Sequence, residues 1–580
     1  MPTYPPVPEG EKPRGGAAPL RLSEGLLGGP APETAWASPT RAAPAGPGYG
    51  ASEWSALGSH RLDFLLVVLF AVVLRAPSLS LSVFGSADES AFILAAREVL
   101  QGHLPHLTLW DHKPPGSTVL IAAAMAVFGQ SVEAARLLGI LCVVATAWLL
   151  YAITRRVSPG RFVPLAAALL YVAFSTRLNG GIATITETIF APFTAAGILL
   201  LLTAPDKRGG GLGLVATFAA AGLAFGIAVW IKYVPALPAA LAGGVALIAL
   251  LLQKKHELGR IIGCGAAFAA GVLLPTAASV AFYWWMGALD AFWSANFGFA
   301  ATYVTNAAFG DHPRGAFFYA LRSVTLVVVD IWPLLAAAAA AFLPHCLGRL
   351  FGPGRSYPSA MVVAWLAGEV LAVTAQMKFY VYHFLPLLPP LCVLSAVAIR
   401  EHAGRLAQPH KAALLAALVV AFAAIGPVAV HARTVAAALF RPDVPREIAK
   451  LVAAEMRPGD QLFIINYESI IYFLADAPLP TRFPFPVILT GPHMSMNPVD
   501  PRAELRRVLH GKPRFLIFNT SWRDAPVVWD PELMLLVEET VSRDYAPRAA
   551  WTLPESVGTV RLFTLNHGGL RAIGADAGPV

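Results

Sequence analysis

The stretch PPGSTVLIAAAMAVF, residues 114–128, decides how the rest of the chain is read. It is apolar enough to pass for a membrane span, yet its fifteen residues fall short of the roughly 20 that a crossing helix needs. Just before it stand Trp110, Asp111, His112 and Lys113, and a loop's distance earlier Asp88 and Glu89, so ionisable groups gather beside long apolar runs. Charge in such a place marks a site at the membrane surface. The other reading is a solvated loop whose acids cap a helix over Ser90–Gly102.

Working outward, the chain of 580 residues is 56% hydrophobic with a mean hydropathy of +0.60, which makes it an integral membrane protein. Apolar runs such as Leu62–Leu74, Phe162–Phe174, Ile198–Leu202 with its flanks, and Ala412–Val430 recur through residue 430 and then stop. Three regions follow: a Pro, Gly, Ala and Ser-rich tail over 1–58 expected to be disordered and cytoplasmic, a membrane domain over 59–430, and a more polar domain over 431–580. The tail holds no apolar core for a signal peptide, so the first hydrophobic helix is expected to remain as a signal anchor.

The net charge of +8 is not arranged as a basic stripe interleaved with aromatics, which excludes nucleic acid as the partner. Membrane topology accounts for it instead. Cys142, Cys264, Cys346 and Cys392 lie in or beside apolar runs without paired spacing, so neither a disulfide framework nor a cysteine metal site organises the fold.

Basic loops are retained in the cytoplasm, and this orients the spans. Lys12, Arg14, Arg21, Arg41 and Arg61 place the N-terminus inside, and span 1, about 61–82, delivers Asp88-Glu89 to the outer face. If 114–128 is an interfacial or re-entrant helix within one outer loop over 83–135, span 2 at about 136–154 puts Arg155, Arg156 and Arg161 inside. Spans at about 162–178, 188–203, 212–231, 234–252, 261–283, 317–343, 359–375, 384–399 and 411–430 then complete eleven, with the main basic loops inside. The C-terminal domain lies outside. Counting 114–128 as a crossing would invert every loop after it.

On this topology Glu187, Lys232, Arg314, Lys378, Tyr382 and His383 reach the outer face from separate loops and can converge with Asp88, Glu89, His112 and Lys113. Past residue 430, helix signals at Pro445–Met456, Ser469–Leu474 and Arg502–Leu509 alternate with strand signals at Gln461–Asn466 and Arg514–Asn519, which predicts a small α/β domain.

Transfer of a sugar from a lipid-linked phosphate needs a base for the incoming hydroxyl, cations for the leaving phosphate and an apolar groove for the lipid. Asp88 or Glu89 is the candidate base, and low-dielectric surroundings are expected to raise its pKa toward neutrality. Lys113, Lys232, Arg314 and Lys378 are the phosphate candidates. Each residue also has a plainer role: Lys113 and Lys232 as snorkelling lysines, Glu187 in a structural ion pair, Tyr382 and His383 in an aromatic belt. His112 could hold a divalent metal with a nearby acid, though no His-rich spacing accompanies it.

These residues resemble a known family. The acidic pair after span 1, then Lys113-Pro114-Pro115-Gly116, then Arg136 opening the next span, is similar to the bacterial members of the dolichyl-phosphate-mannose protein mannosyltransferase superfamily, which include the aminoarabinose transferases of lipid A. The likeness continues with Glu187 in Thr184-Ile185-Thr186-Glu187, with Lys232 after a Gly-rich span, and with Lys378 through Pro390. It covers about residues 61–400 and, more loosely, the C-terminal domain through Tyr472 and Arg482.

The resemblance implies an all-α polytopic GT-C membrane bundle of about eleven helices, a polyprenyl-phosphate sugar donor and inversion at the anomeric carbon. It casts Asp88 as base or acceptor contact and Lys113 as the phosphate-side lysine. His112 stands where the aminoarabinose transferases have Glu, a departure that puts their substrate, and any metal shared with that Glu, in question. The expected protein is a bacterial inner-membrane glycosyltransferase with a glycan, lipid or protein acceptor on the periplasmic face. The competing readings are a flippase for a lipid-linked saccharide, which would place charges near the bilayer midplane and show internal repeats, and a non-catalytic envelope assembly subunit.

Overall fold

The computed structural model describes residues 56–566 apart from 85–86, 159, 179, 205–210, 254–255, 299–312, 342–355, 407, 492–493, 495–496, 525–528 and 554–557. The tail over 1–55 and the loop charges at Asp206-Lys207-Arg208, Lys254-Lys255, Asp311-His312, Arg349 and Arg355 therefore lie outside the described residues.

In chain order the helices of eight or more residues are α1 (Ala56–Arg75), α2 (Ala87–Leu100), α3 (Gly116–Phe128), α4 (Val132–Val157), α5 (Phe162–Phe174), α6 (Thr186–Thr203), α7 (Gly211–Ile231), α8 (Ala236–Gln253), α9 (Leu258–Trp285), α10 (Pro313–Ala341), α11 (Tyr357–Ala375), α12 (Leu388–Leu406), α13 (Pro409–Leu439), α14 (Val444–Glu455), α15 (Pro501–His510) and α16 (Pro531–Asp544). Among the described residues ten helices are long and apolar enough to cross a membrane.

α3 and α5 are 13 residues each, roughly 20 Å, too short to cross a hydrocarbon core of about 30 Å. They solve this differently. α3 starts beside Lys113, and Gly129 at positive φ turns the chain into α4, whose first turns carry Arg136 against Glu89. It therefore starts and finishes at one end of the bundle.

α5 instead begins at Arg161, which pairs with Asp63 near the start of α1 (2.7 Å). The chain after α5 reaches Thr184, whose backbone N–H donates to Glu89 at the opposite end (2.8 Å). α5 and the chain after it together thus run from one end of the bundle to the other. Polar groups after α5 find partners inside protein: Arg75 donates to Ser175 Oγ (2.8 Å) and to the Ile182 carbonyl (3.4 Å), and Arg177 pairs with Asp330. α5 coincides with the apolar run Phe162–Phe174 and ends four residues short of the span expected at about 162–178.

Small residues let α7 and α9 pack closely. A Cβ added at Gly226 on α7 would sit 2.5 Å from Gly271 O on α9, and one at Gly222 would come closer still to Phe268 O, so the two backbones approach because these positions on α7 lack a side chain. α10 bends at Ile331 (φ −120°, ψ 16°), two residues before Pro333. α13 runs 31 residues, roughly 46 Å, and so outlasts the bilayer by more than two turns before the chain enters α14.

The C-terminal domain is built on a sheet of order β1-β2-β4-β3, with β1 (Leu462–Ile464) parallel to β2 (Phe515–Asn519) and the hairpin β3 (Tyr545–Thr552) and β4 (Thr559–Leu565) antiparallel. β2 is buried along its whole length. The parallel step from β1 to β2 passes through α15, as a crossover requires. The domain grips the membrane bundle at several points: Asp443 caps α14 and accepts from Ser82 N (2.9 Å), Arg97 donates to Tyr472 O (3.0 Å) and Ala477 O (3.1 Å), and Trp110 N donates to Arg482 O (2.8 Å).

Candidate functional site

Pro114 and Pro115 cannot continue a helix backward from α3, so the chain approaching it is extended and turned. Asp111 Oδ1 accepts from Lys113 N (3.2 Å), an Asx turn that aims the Lys113 side chain toward α2. There Lys113 Nζ reaches Asp88 Oδ2 (3.4 Å) in the first turn of α2 and rests 4.7 Å from the centre of the Phe92 ring.

A second pair stands alongside. Glu187, in the first turn of α6 and 3% exposed, accepts from Lys232 Nζ just past the end of α7 (2.5 Å) and from Thr186 Oγ1 (2.7 Å). Lys232 also faces the Tyr382 ring at 5.8 Å. Tyr382 stacks on Tyr380 (5.6 Å) and meets His383 edge-on (4.7 Å). Lys378 is buried between Met377 and Phe379, both at positive φ (53° and 50°), a strained backbone that persists only where its surroundings enforce it. The fields of Lys232, Lys113 and Lys378 all act on His383, and those of Lys113 and Lys232 on Asp88. Residues from five separate segments thus share one site.

The charges control one another. Burial pushes the Asp88 carboxyl up, but Lys113, Lys232 and His112 together outweigh it and hold it below the usual carboxylate value. The expected upward shift is therefore corrected: the lysines dominate desolvation, and Asp88 is ionised throughout the neutral range. Burial also pulls Lys113 down, yet Asp88, Asp111 and Glu187 overcome it and raise it. His112, buried and beside Lys113, is lowered to about 4 and stays neutral at pH 7. Burial lowers Lys378.

Glu89 does not join this cluster. It is 2% exposed, accepts from Arg136 Nη2 (2.8 Å), Arg136 Nε (3.1 Å) and Thr184 N (2.8 Å), and thereby fastens α2 to α4 and to the chain before α6. Arg136 also donates to the carbonyls of Ser78, Leu81 and Ser82. Of the two candidate bases, Glu89 has its oxygens taken up by Arg136 and Thr184, while its neighbour Asp88 pairs with Lys113. Arg314 opens α10, and its side chain lies outside the described residues.

Phe92 and Tyr380 also border the cluster and were not singled out by the sequence reading, while Asp111, read only as one charge of the Trp110–Lys113 run, orients Lys113. The Asp-x-Lys spacing before Pro-Pro signals the Asx turn, whereas Phe92 is distinguished from any helical core residue only by its position one turn after Asp88. Among the described residues no group of three His, Cys, Asp or Glu could hold a metal ion, and Asp88 and Glu187 are met by lysines.

The arrangement is a GT-C membrane bundle with a cluster of paired lysines and carboxylates at one end. The fold is shared with ArnT from Cupriavidus metallidurans in the apo state (TM-score 0.57, 16% identity, 88% of this chain and 98% of that one) and bound to undecaprenyl phosphate (0.54, 14%, 88% and 99%). It is also shared with the archaeal oligosaccharyltransferase AglB from Archaeoglobus fulgidus in complex with an inhibitory peptide and a dolichol-phosphate (0.53, 12%, 89% and 75%). Residues 112–284 match the family model for dolichyl-phosphate-mannose-protein mannosyltransferase, the superfamily that the Lys113, Glu187 and Lys232 motifs resemble. No curated protein matches the chain in sequence.

Proposed function

We propose that the chain is a membrane glycosyltransferase that moves a sugar from a polyprenyl-phosphate donor to an acceptor on the outer face of the bacterial inner membrane. The observation that carries this reading is the ionised Asp88 carboxylate set among Lys113, Lys232 and Lys378 at the bundle end. A flippase would need its charges at mid-bilayer depth. Two solved structures of the same fold, by their descriptions, bind undecaprenyl phosphate and a dolichol-phosphate, which supports the donor class.

In this reading the donor phosphate takes up Lys113 and Lys232, and its arrival draws Lys113 off Asp88. The freed carboxylate accepts the proton of the acceptor hydroxyl while that oxygen bonds to the anomeric carbon on the face opposite the phosphate. The C–O bond to phosphate breaks, its electron pair leaves with the polyprenyl phosphate, and the lysines neutralise the new charge. A carboxylate held low is a weak base, but attack on an oxocarbenium-like carbon makes the incoming hydroxyl acidic before the proton moves. Neutral His112 and Tyr382 remain to hydrogen-bond sugar hydroxyls, and inversion follows from single displacement.

Mass spectrometry of envelope glycans and lipids from a strain lacking this chain tests the proposal. One sugar should disappear from one acceptor class. Envelope material unchanged in every sugar contradicts it.

A further inference from the structure

Asp111 shapes the Lys113 turn with its side chain, and its backbone carbonyl has a partner of its own. His106, five residues earlier and 3% exposed, meets that carbonyl through Nδ1 (2.9 Å) and meets Asn296 Nδ2 through Nε2 (3.3 Å). Asn296 is likewise buried, in the π-helical turn Ser294–Gly298 that follows α9. Its Nδ2 also donates to Phe292 O (2.9 Å), and its Oδ1 accepts from the Tyr233 hydroxyl (3.0 Å). Tyr233 directly follows Lys232.

The partners assign the protons along this relay. An amide nitrogen can only donate, so His106 Nε2 accepts, and Nδ1 carries the hydrogen that goes to Asp111 O. Burial lowers His106 below its ordinary value even against the pull of Asp111, which keeps the ring neutral near pH 7 and its Nε2 lone pair available. Both ring nitrogens and all three polar positions of the amide are then used. His106 stands at φ 71°, a left-handed conformation that its surroundings must enforce. Tyr283 and Phe292 flank the ring at 6.0 and 6.1 Å between centres, and the Tyr283 hydroxyl donates to Pro105 O (3.1 Å).

We infer that His106 and Asn296 are positioning residues that tie the Lys113 turn to the backbone beside Lys232 and so set the spacing of the two lysines; the inference rests on the transferase reading and deepens it. Lys113 and Lys232 come from segments far apart in sequence, and each is paired with a different carboxylate. A phosphate that must meet both cations is sensitive to their separation, since a displacement near 1 Å costs roughly 10²-fold in rate. The relay joins the two lysine-bearing segments through one amide side chain, without itself entering the lysine cluster.

The test uses the full-length protein in lipid nanodiscs with His106→Asn, Tyr233→Phe and the double variant. Asn tolerates positive φ and keeps a donor near Asp111 O, but it is too short to reach Asn296. Tyr233→Phe removes only the hydroxyl. Each single variant should lower kcat for release of polyprenyl phosphate from the donor roughly tenfold, with a smaller change in donor KM and with unfolding temperature kept. Because both substitutions cut one relay, the double variant should be no slower than the slower single one, whereas independent effects would multiply to about a hundredfold. Amide hydrogen exchange reads the same tie without any donor: Tyr233→Phe should speed exchange over residues 104–113, which its hydroxyl reaches through Asn296. Wild-type kcat in either single variant, multiplying effects in the double variant, or exchange that rises only beside residue 233 overturns the inference. A wild type that releases no polyprenyl phosphate removes the transferase reading, and exchange alone then decides whether the two segments are tied.

Discussion

Lys113 Nζ stands 3.4 Å from Asp88 Oδ2, a contact made across 25 residues that joins the proposed phosphate-side cation and the proposed base in one ion pair. Neither is free to act until something replaces the other. A donor phosphate is such a replacement, so donor binding and activation of Asp88 are one event in this account.

The ion pair sets a pH dependence. Because Lys113, Lys232 and His112 keep Asp88 low, the acidic limb of kcat/KM should fall below the ordinary carboxylate range. Removing the positive charge in Lys113→Met lets burial raise Asp88, so the acidic limb of the residual activity should move to higher pH. A limb that stays put, or moves lower, contradicts the assignment. His112, lowered to about 4, should add no limb in the neutral range.

Glu89 and Asp88 should separate in their effects. Breaking the buried Glu89–Arg136 pair by Arg136→Met leaves a carboxylate without its partner and should cost about 3–5 kcal/mol of stability. Unfolding temperature, measured on the purified protein, should drop clearly in Arg136→Met and hold in Asp88→Asn. Equal loss in both would mean that Asp88 is a structural residue.

Lys232→Met should raise the KM for the donor more than it lowers kcat, since part of its interaction is with the ground-state phosphate. It also strands Glu187, so Lys232→Arg provides the control that keeps the buried charge paired. Steady-state kinetics with unchanged KM in Lys232→Met would place the donor elsewhere.

Gly116 opens α3 against α7, where an added Cβ would lie 2.5 Å from Trp230 O. Gly116→Val should push the Lys113 turn away from Lys232, lowering activity by roughly 10²-fold for a displacement near 1 Å while most helical content remains. Circular dichroism and donor turnover together check this. Full activity would show that the α3–α7 contact does not position the site.

Most of the bundle was legible because apolar length marks the helices, and the short helix expected within 114–128 is present as Gly116–Phe128. The end of α5 was less legible. The apolar run Phe162–Phe174 matches the helix, but its span was carried on to about 178, and only the buried partners of Ser175, Ile182 and Thr184 show that the chain there has left the helix. In the C-terminal domain the first strand pair and its helices could be read from periodicity, whereas α16 and the β3–β4 hairpin were missed. β3 carries Pro547 at an irregularity in its register and mostly half-exposed residues, so its alternation is weak. At the site, the sequence brought Asp88, Lys113, Glu187, Lys232 and Lys378 to one end of the bundle. It did not show which member of an adjacent acidic pair faces Lys113, because that depends on the helical rotation set by Arg136.

The most direct measurement is sugar transfer from polyprenyl-phosphate donor by Asp88→Asn, with wild type and Asp88→Glu beside it in the same membranes. The account predicts a folded Asp88→Asn protein slowed by roughly 10²–10⁴-fold, with partial activity in Asp88→Glu. Transfer by Asp88→Asn at the wild-type rate would contradict it.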